Sequence, residues 1–287
     1  MKRVLLTGGS GFVGGNILPL LRRKYIVDAP GRKELDVRDA EQVKQYVTDG
    51  HYDVVIHLAS PSPVRSKLDS YDKLFEDCLK IFMNFYSVRS EYGRMIYSGS
   101  GAEFDKRQHL CMVTEEHIGN SIPVDDYGRA KYIMNELARG SENIYNFRIF
   151  GCYGPNEYDS KFIRHVIRCC MEERPITIRQ DCYFDYMFVE DYAEIVEYGI
   201  EHELRFHDYN VVSGQRIKLS EIAQLVSMKM NHKKGIEIAY PGMNNEYTAS
   251  NVRLLSEMNY NMKFTEIEKG IERMIRWEET INEEKSS

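Results

Sequence analysis

A disulfide framework is the first thing this chain lacks. Its 287 residues include six cysteines, Cys78, Cys111, Cys152, Cys169, Cys170 and Cys182, with no CxxC pair and no Cys/His spacing suited to a metal. Reduced thiols in a cytoplasmic protein are therefore expected, zinc is not, and a chain of this length buries a core without staples. Long apolar runs are also missing. Nothing in the sequence is long enough to span a bilayer, and the N-terminus enters an apolar strand with no basic-then-apolar leader. There is no excess of basic charge: the formal net charge is -6, which argues against a nucleic-acid partner, since phosphate binding needs a clustered basic face. Internal repeats and low-complexity segments are absent, and the acidic tail from Glu278 reads as a solvated helix end.

What is present begins at Val4-Leu5-Leu6-Thr7-Gly8-Gly9-Ser10-Gly11-Phe12-Val13-Gly14. The apolar run suits a strand buried on both faces, and Phe12, Val13, Ile17, Leu18 and Leu21 follow at helical spacing. Gly8, Gly11 and Gly14 then permit a tight turn, close approach of a pyrophosphate, and close packing of helix on strand. A plain glycine turn without a ligand is the other reading. Strand patterns recur at 25–29, 53–59, 94–98 and 144–149, separated by helical patterns ending near Val47, spanning Lys67 to Glu91, and spanning Tyr127 to Arg139. That alternation predicts an α/β fold with a doubly wound parallel sheet over residues 1–155. From 156 to 287 the pattern changes to helices with short strands, a smaller interwoven domain from which about 186–212 returns to the first. Residues 105–126 read as a polar, irregular stretch.

The chemistry-bearing pattern is Tyr127-Gly128-Arg129-Ala130-Lys131, which places a phenol and an ammonium on one helix face. A nearby lysine favours the phenolate, so the tyrosine can exchange a proton closer to neutral pH. Ser100, at a preceding strand end, can hydrogen-bond the same substrate oxygen. Taken alone the Tyr/Lys pair reads equally as a surface pair; the glycine turn and the serine strand end, in this order, favour the chemical reading.

With these motifs the chain resembles the extended short-chain dehydrogenase/reductase family, the NAD-dependent epimerases and dehydratases, in its nucleotide-sugar branch. The resemblance runs end to end, through His57-Leu58-Ala59-Ser60, Ser98-Gly99-Ser100, Arg148 to Pro155, Phe188 to Ala193 and Asn210 to Gly214. It implies a Rossmann-type sheet and a homodimer packed through the 67–91 and 127–139 helices. It implies that Gly8, Gly11, Phe12, Val13 and Gly14 hold a pyrophosphate, that Asp36 and Val37 flank the adenine, and that Leu58 and Ala59 line the cofactor cleft. Ser100, Tyr127 and Lys131 would be catalytic, with Lys131 also holding the nicotinamide ribose. Arg32 resembles the arginine of fucose-synthase-type reductases and favours NADP(H) over NAD(H). The alternative is Asp28 as ribose acid with Arg32 in solvent. Lys161 resembles a residue near the substrate diphosphate, or is a solvated lysine; Glu103 reads as a substrate ligand or an exposed loop acid.

Departures narrow the reaction. The family's dehydratases follow their catalytic hydroxyl with Asp-Glu, where this chain has Gly101-Ala102 and a displaced Glu103. Fucose-synthase-like enzymes use a cysteine just after the serine and a histidine in the substrate domain, where this chain has Gly101 and Lys161. An arginine expected before an aspartate is replaced in Phe184-Asp185-Tyr186, leaving Arg164, Arg168 or Arg179 as substitutes. The expected function is an NAD(P)-dependent oxidoreductase that reduces a nucleotide-linked 4-keto-6-deoxyhexose. Alternatives are a nucleotide-sugar 4-epimerase and a non-catalytic dinucleotide sensor.

Overall fold

The computed structural model describes residues 1–61 and 71–286. Ser62, Pro63 and residues 67–70, the start of the helix expected from Lys67, lie outside the described residues. Six strands form one parallel sheet: β1 (Arg3–Thr7), β2 (Ile26–Asp28), β3 (Val54–His57), β4 (Arg94–Ser100), β6 (Ile144–Ile149) and β11 (Asp208–Val211), ordered β11-β6-β4-β3-β1-β2. The reversal of direction at β1 and β3 opens a crevice at their carboxyl ends, where open α/β sheets bind ligands.

Helices cover both faces. On one, α1 (Phe12–Leu21) and α6 (Asp191–Glu201) bury Ile17, Leu21, Ile195 and Val196 against Val4, Leu6 and Ile56. On the other, α2 (Ala40–Gly50), α3 (Leu74–Ser87) and α4 (Asp126–Arg139) bury Val43, Phe82, Phe85 and Met134 against Leu5, Val55 and Met95. Successive strand residues thus feed opposite cores, which is why the strands read as continuous apolar runs. No described helix is long and apolar enough to cross a membrane.

A second layer is built from short strands. β5 (Leu110–Val113), β9 (Tyr183–Phe184), β12 (Ile217–Lys218) and β14 (Tyr247–Ala249) form a sheet ordered β12-β9-β14-β5. The stretch expected to be irregular therefore contains a strand, paired with one near the C-terminal end. β7 (Gly151–Tyr153) pairs with β10 (Tyr186–Phe188), and β8 (Ile176–Asp181) with β13 (Ile236–Met243). α5 (Phe162–Met171), α7 (Leu219–Lys229) and α9 (Ile267–Ser286) pack around Ile163, Ile167, Val226 and Met274, while α8 (Val252–Glu257) contributes Leu254 to the main core.

Two buried polar groups sit where the layers meet. Arg148 has no exposed surface. Its Nε donates to Glu103 Oε2 at 2.5 Å, its Nη1 to Asn210 Oδ1 at 2.9 Å, and its Nη2 to Asp208 Oδ2 at 3.0 Å and Asn135 Oδ1 at 3.1 Å. Burial opposes its charge, but Glu103 and Asp208 outweigh that and hold the guanidinium protonated. Glu157, in the turn after β7, is 1% exposed and its Oε2 has no hydrogen-bond partner. Burial pushes its carboxyl up to about 8, against the pull of Lys161 and Arg164.

Arg148→Met removes the cation between two carboxylates, and breaking a buried pair in this way costs about 3–5 kcal/mol. Urea unfolding checks this; a loss below about 1 kcal/mol would mean the network adds little. Glu157 gives a pH signature. Its proton is retained in the folded chain where the unfolded chain has released it, so its stabilising contribution is complete below the unfolded carboxylate range and is lost as pH rises through about 8. In Glu157→Gln, unfolding free energies measured between about pH 5 and pH 8 should lose that fall. An unchanged slope would assign it to other groups.

Candidate active site

At the end of β1 the chain turns through Gly8 at φ +73°, and a Cβ there would lie 2.8 Å from the Ala59 backbone nitrogen. One at Gly14 would lie 2.2 Å from the Gly8 carbonyl oxygen, so helix and turn touch only because glycine occupies both positions. The Gly11 N–H donates to that same oxygen at 2.9 Å. α1 then starts with no side-chain cap, leaving its first N–H groups for an anion. This glycine cradle suits a dinucleotide pyrophosphate.

The cradle opens on a cleft of about 480 Å³. Gly8, Gly11, Phe12, Val13, Gly14, Arg32, Asp36, Val37, Leu58, Ala59 and Lys131 all line it, as does Tyr127. Thr7 ties its floor together: its Oγ1 accepts from the Ala59 N–H at 3.2 Å and lies 2.9 Å from His57 Nδ1. Burial, with Lys131 nearby, lowers His57 to about 3, so the imidazole is neutral.

At the end of β2, Asp28 Oδ2 accepts from Arg3 Nη2 and from the Tyr52 hydroxyl, each at 2.9 Å, and Asp28 is not among the residues lining the cleft. Arg32 does line it, with its side chain 70% exposed and its Nε 3.9 Å from Asp36. Arg38 was missed in the sequence. Its Nε and Nη2 donate to the two Asp36 oxygens at 3.2 and 3.1 Å, placing a second guanidinium in the same wall.

At the other end Tyr127 and Lys131 line the cleft; Ser100, the last residue of β4, is not among its lining residues. Asp125 caps α4 by accepting from the Gly128 N–H at 2.9 Å, which sets Tyr127 in the first turn. Lys131 is buried, donates from Nζ to the Ser98 carbonyl at 2.8 Å, and lies 5.7 Å from the centre of the Tyr127 ring. The phenol does not drift toward phenolate as its lysine neighbour led us to expect. Burial raises it, Cys78 adds to the rise, and a hydrogen bond with Ser100 opposes them. Burial lowers Lys131 in turn.

Several expectations are corrected. Glu103 is neither an exposed loop acid nor placed to touch a substrate: it is 0% exposed, paired with Arg148, and accepts from the Ser100 N–H at 2.9 Å. Lys161 is exposed at the start of α5 and is not among the residues lining the cleft. Arg164 pairs with Glu278 and Asp159, Arg168 with Asp159 and Glu172, and Arg179 sits over Tyr240, so the suggested substitute phosphate ligands are engaged elsewhere. His109, Cys111 and Glu246, unremarked in the sequence, bring ligand atoms within 4.8 Å. Glu246 already accepts from Arg216 Nε and Nη2 at 2.6 Å each, and its N–H donates to His109 Nδ1 at 3.1 Å. That bond places the imidazole proton on Nε2, the nitrogen facing the carboxylate, which opposes metal ligation there. Tyr247 was also missed, because only the pairing of β14 with β5 and β9 brings it beside Ser100.

Residues 4–212 match the NAD dependent epimerase/dehydratase family. An ADP-L-glycero-D-manno-heptose-6-epimerase from Pseudomonas aeruginosa is 21% identical, across 96% of this chain and 98% of its own. A dTDP-glucose 4,6-dehydratase from Mycobacterium tuberculosis is 24% identical, across 96% and 92%. Among solved structures, a GDP-L-fucose synthetase from Naegleria fowleri bound to NADP superposes with a TM-score of 0.84 at 17% identity, covering 98% of this chain and 95% of that one. The family match covers well over half of the sequence and includes the glycine turn, the serine strand end and the Tyr/Lys helix: the chain belongs to the NAD-dependent epimerase/dehydratase family.

Proposed function

We propose that this protein is an NADP(H)-dependent oxidoreductase that reduces the 4-keto group of a nucleotide-linked 6-deoxyhexose. The observation that carries the reading is Tyr127 with buried Lys131 lining one end of a glycine-floored cleft, next to the strand β4 that ends in Ser100. A nicotinamide dinucleotide bound there supplies hydride. The glycine turn and the α1 N-terminus hold its pyrophosphate, and Lys131 holds its nicotinamide ribose. Ser100 donates a hydrogen bond to the sugar carbonyl oxygen, and Tyr127 gives that oxygen its proton.

Two further observations support the choice among family chemistries. Water elimination needs carboxyl groups beside the catalytic hydroxyl, and Glu103, three residues after Ser100, is enclosed by Arg148, Asn146 and the Ser100 N–H. Arg32 and Arg38, with Asp28 engaged elsewhere, favour a 2′-phosphate at the adenosine end. The second reading is an epimerase, favoured by the likeness to the heptose epimerase. In that case the same residues take and return the hydrogens at one carbon.

The decisive assay follows nicotinamide absorbance with NADPH or NADH and a panel of GDP-, dTDP-, UDP- and ADP-linked keto and saturated sugars, with product analysis. Stoichiometric NADPH loss on a 4-keto sugar is expected. An isomerised sugar with no net cofactor change would establish the epimerase instead. Tyr127→Phe should lower turnover by about 10²–10⁴-fold, and undiminished turnover would remove the acid/base assignment. Arg32→Ala and Arg38→Ala should each weaken NADP binding by about tenfold or more while leaving NAD binding nearly unchanged. Equal losses for both cofactors would point to a role in folding the wall.

A further inference from the structure

Of the described residues lining the cleft, Tyr158 alone comes from beyond Lys131 in the chain. The loop that carries it there leaves β7 at Tyr153 and enters α5 at Phe162. Asn156 turns this loop in the left-handed region, at φ +64°, where asparagine is tolerated better than most side chains. The Glu157 N–H donates to the Gly154 carbonyl at 3.2 Å, the Lys161 N–H to the Tyr158 carbonyl at 2.9 Å, and the Arg164 guanidinium to the Glu157 carbonyl. Tyr158, half-buried, thus sits on a segment anchored to the second layer at both ends.

One side chain ties that loop to the cofactor side. Asn16 stands two residues after Gly14 on α1, and its Nδ2 donates to the Phe12 carbonyl of its own helix and to the Pro155 carbonyl, each at 2.8 Å. The amide has two N–H groups, and both are used on backbone acceptors. Turned over, it would set its oxygen against two carbonyls, so its neighbours fix its orientation. Phe12 lines the cleft, and Pro155 precedes Tyr158 by three residues. Asn16 therefore joins the first turn of the helix at the glycine cradle to the loop that brings Tyr158 in. An aspartate would have the same size and none of the donors.

We propose that Asn16 is a positioning residue: by holding the Pro155 carbonyl against α1 it keeps Tyr158 in the wall of the cleft, where that side chain meets the dinucleotide. The inference rests on the reading of the cleft as a dinucleotide site. It gives the cofactor a contact from the second layer, and the affinity gained through Tyr158 is available only while Asn16 holds the loop. Linkage makes the effect reciprocal, so a dinucleotide in the cleft steadies the loop as the loop steadies the dinucleotide. Occupancy of the cleft is thereby transmitted to the start of α5.

Amide hydrogen exchange on the full chain, with and without an excess of NADP or NAD, tests this. In the unsubstituted chain the dinucleotide should slow exchange at residues 8–14 and also at 156–161. In Asn16→Ala and in Asn16→Asp, the protection at 8–14 should remain and that at 156–161 should be lost. Calorimetric titration with the same dinucleotide gives a second readout. Asn16→Ala and Tyr158→Ala should each raise the dissociation constant by about threefold to tenfold, and the double variant should raise it no further than either alone. Protection confined to 8–14 in the unsubstituted chain, protection of 156–161 that persists in both Asn16 variants, or losses that multiply in the double variant would overturn the proposal and leave the dinucleotide site standing. Binding of neither NADP nor NAD would instead remove the cofactor reading, and the proposal with it.

Discussion

The buried pairing of Arg148 with Glu103 is the interaction on which the chemical end of this site depends. Glu103 accepts from Arg148, from Asn146 Nδ2 at 2.9 Å and from the Ser100 N–H, so one carboxylate joins β6 to the last residue of β4. The bond to Ser100 closes a one-turn helix over Gly101–Glu103 and fixes the backbone from which the serine hydroxyl projects. On its far side Arg148 reaches Asp208 and Asn210 on β11, and Asp208 in turn accepts from Arg253. A charge without solvent is tolerable only with its partners in place, so the strand ends carrying the reactive groups are held in common register. The arrangement uses the low dielectric of the interior to hold a loop that would otherwise be an ordinary surface connection.

Much of the main sheet was legible in the sequence because both its faces are covered. β6 and α6 have the expected limits, and β1 and β3 have nearly the expected ones, since a strand buried on both faces reads as an unbroken apolar run. The glycine turn was legible for a different reason: Gly8 and Gly14 face backbone atoms that admit no Cβ. The short strands were not legible. β5, β9 and β14 are stabilised by pairing with one another across large separations in the chain, and two to four residues carry too little periodicity to announce that. Tyr247 was invisible for this reason.

The polar residues divide the same way. The pairing of Tyr127 with Lys131 is local, and helical spacing was enough to find it. Glu103 was misjudged as an exposed loop acid because its partner, Arg148, is distant in the chain, as are the partners of Asp28, Arg3 and Tyr52. One signal for Glu103 was nevertheless in reach. Ser100-Gly101-Ala102-Glu103 has the spacing in which a hydroxyl and a carboxyl cap one another's backbone, and that pattern argues for an inward, structural acid rather than a free one.

The site is thus assembled across two layers with unequal means of support. The glycine turn joins β1 and α1, which are consecutive in the chain and backed by a large apolar core, and the loops after β2 and β3 complete that part of the cleft. At the end of β4 the two sheets meet: the Tyr247 hydroxyl of β14 fills the space that a side chain on Gly101 would take. The small sheet meets the main one through a buried apolar cluster that includes Leu110, Val113, Val212 and Ala249, and through polar bonds: Glu115 accepts from the Asn210 N–H at 2.7 Å, and Asn210 Nδ2 donates to the Val113 carbonyl at 3.0 Å. Such bonds are directional where apolar packing is not, so they set the angle at which β5 and β14 approach β4. A shift of that angle would leave the glycine turn and α1 in place and still move the Tyr247 hydroxyl relative to Gly101. The surroundings of the β4 end are therefore a property of the contact between the two sheets.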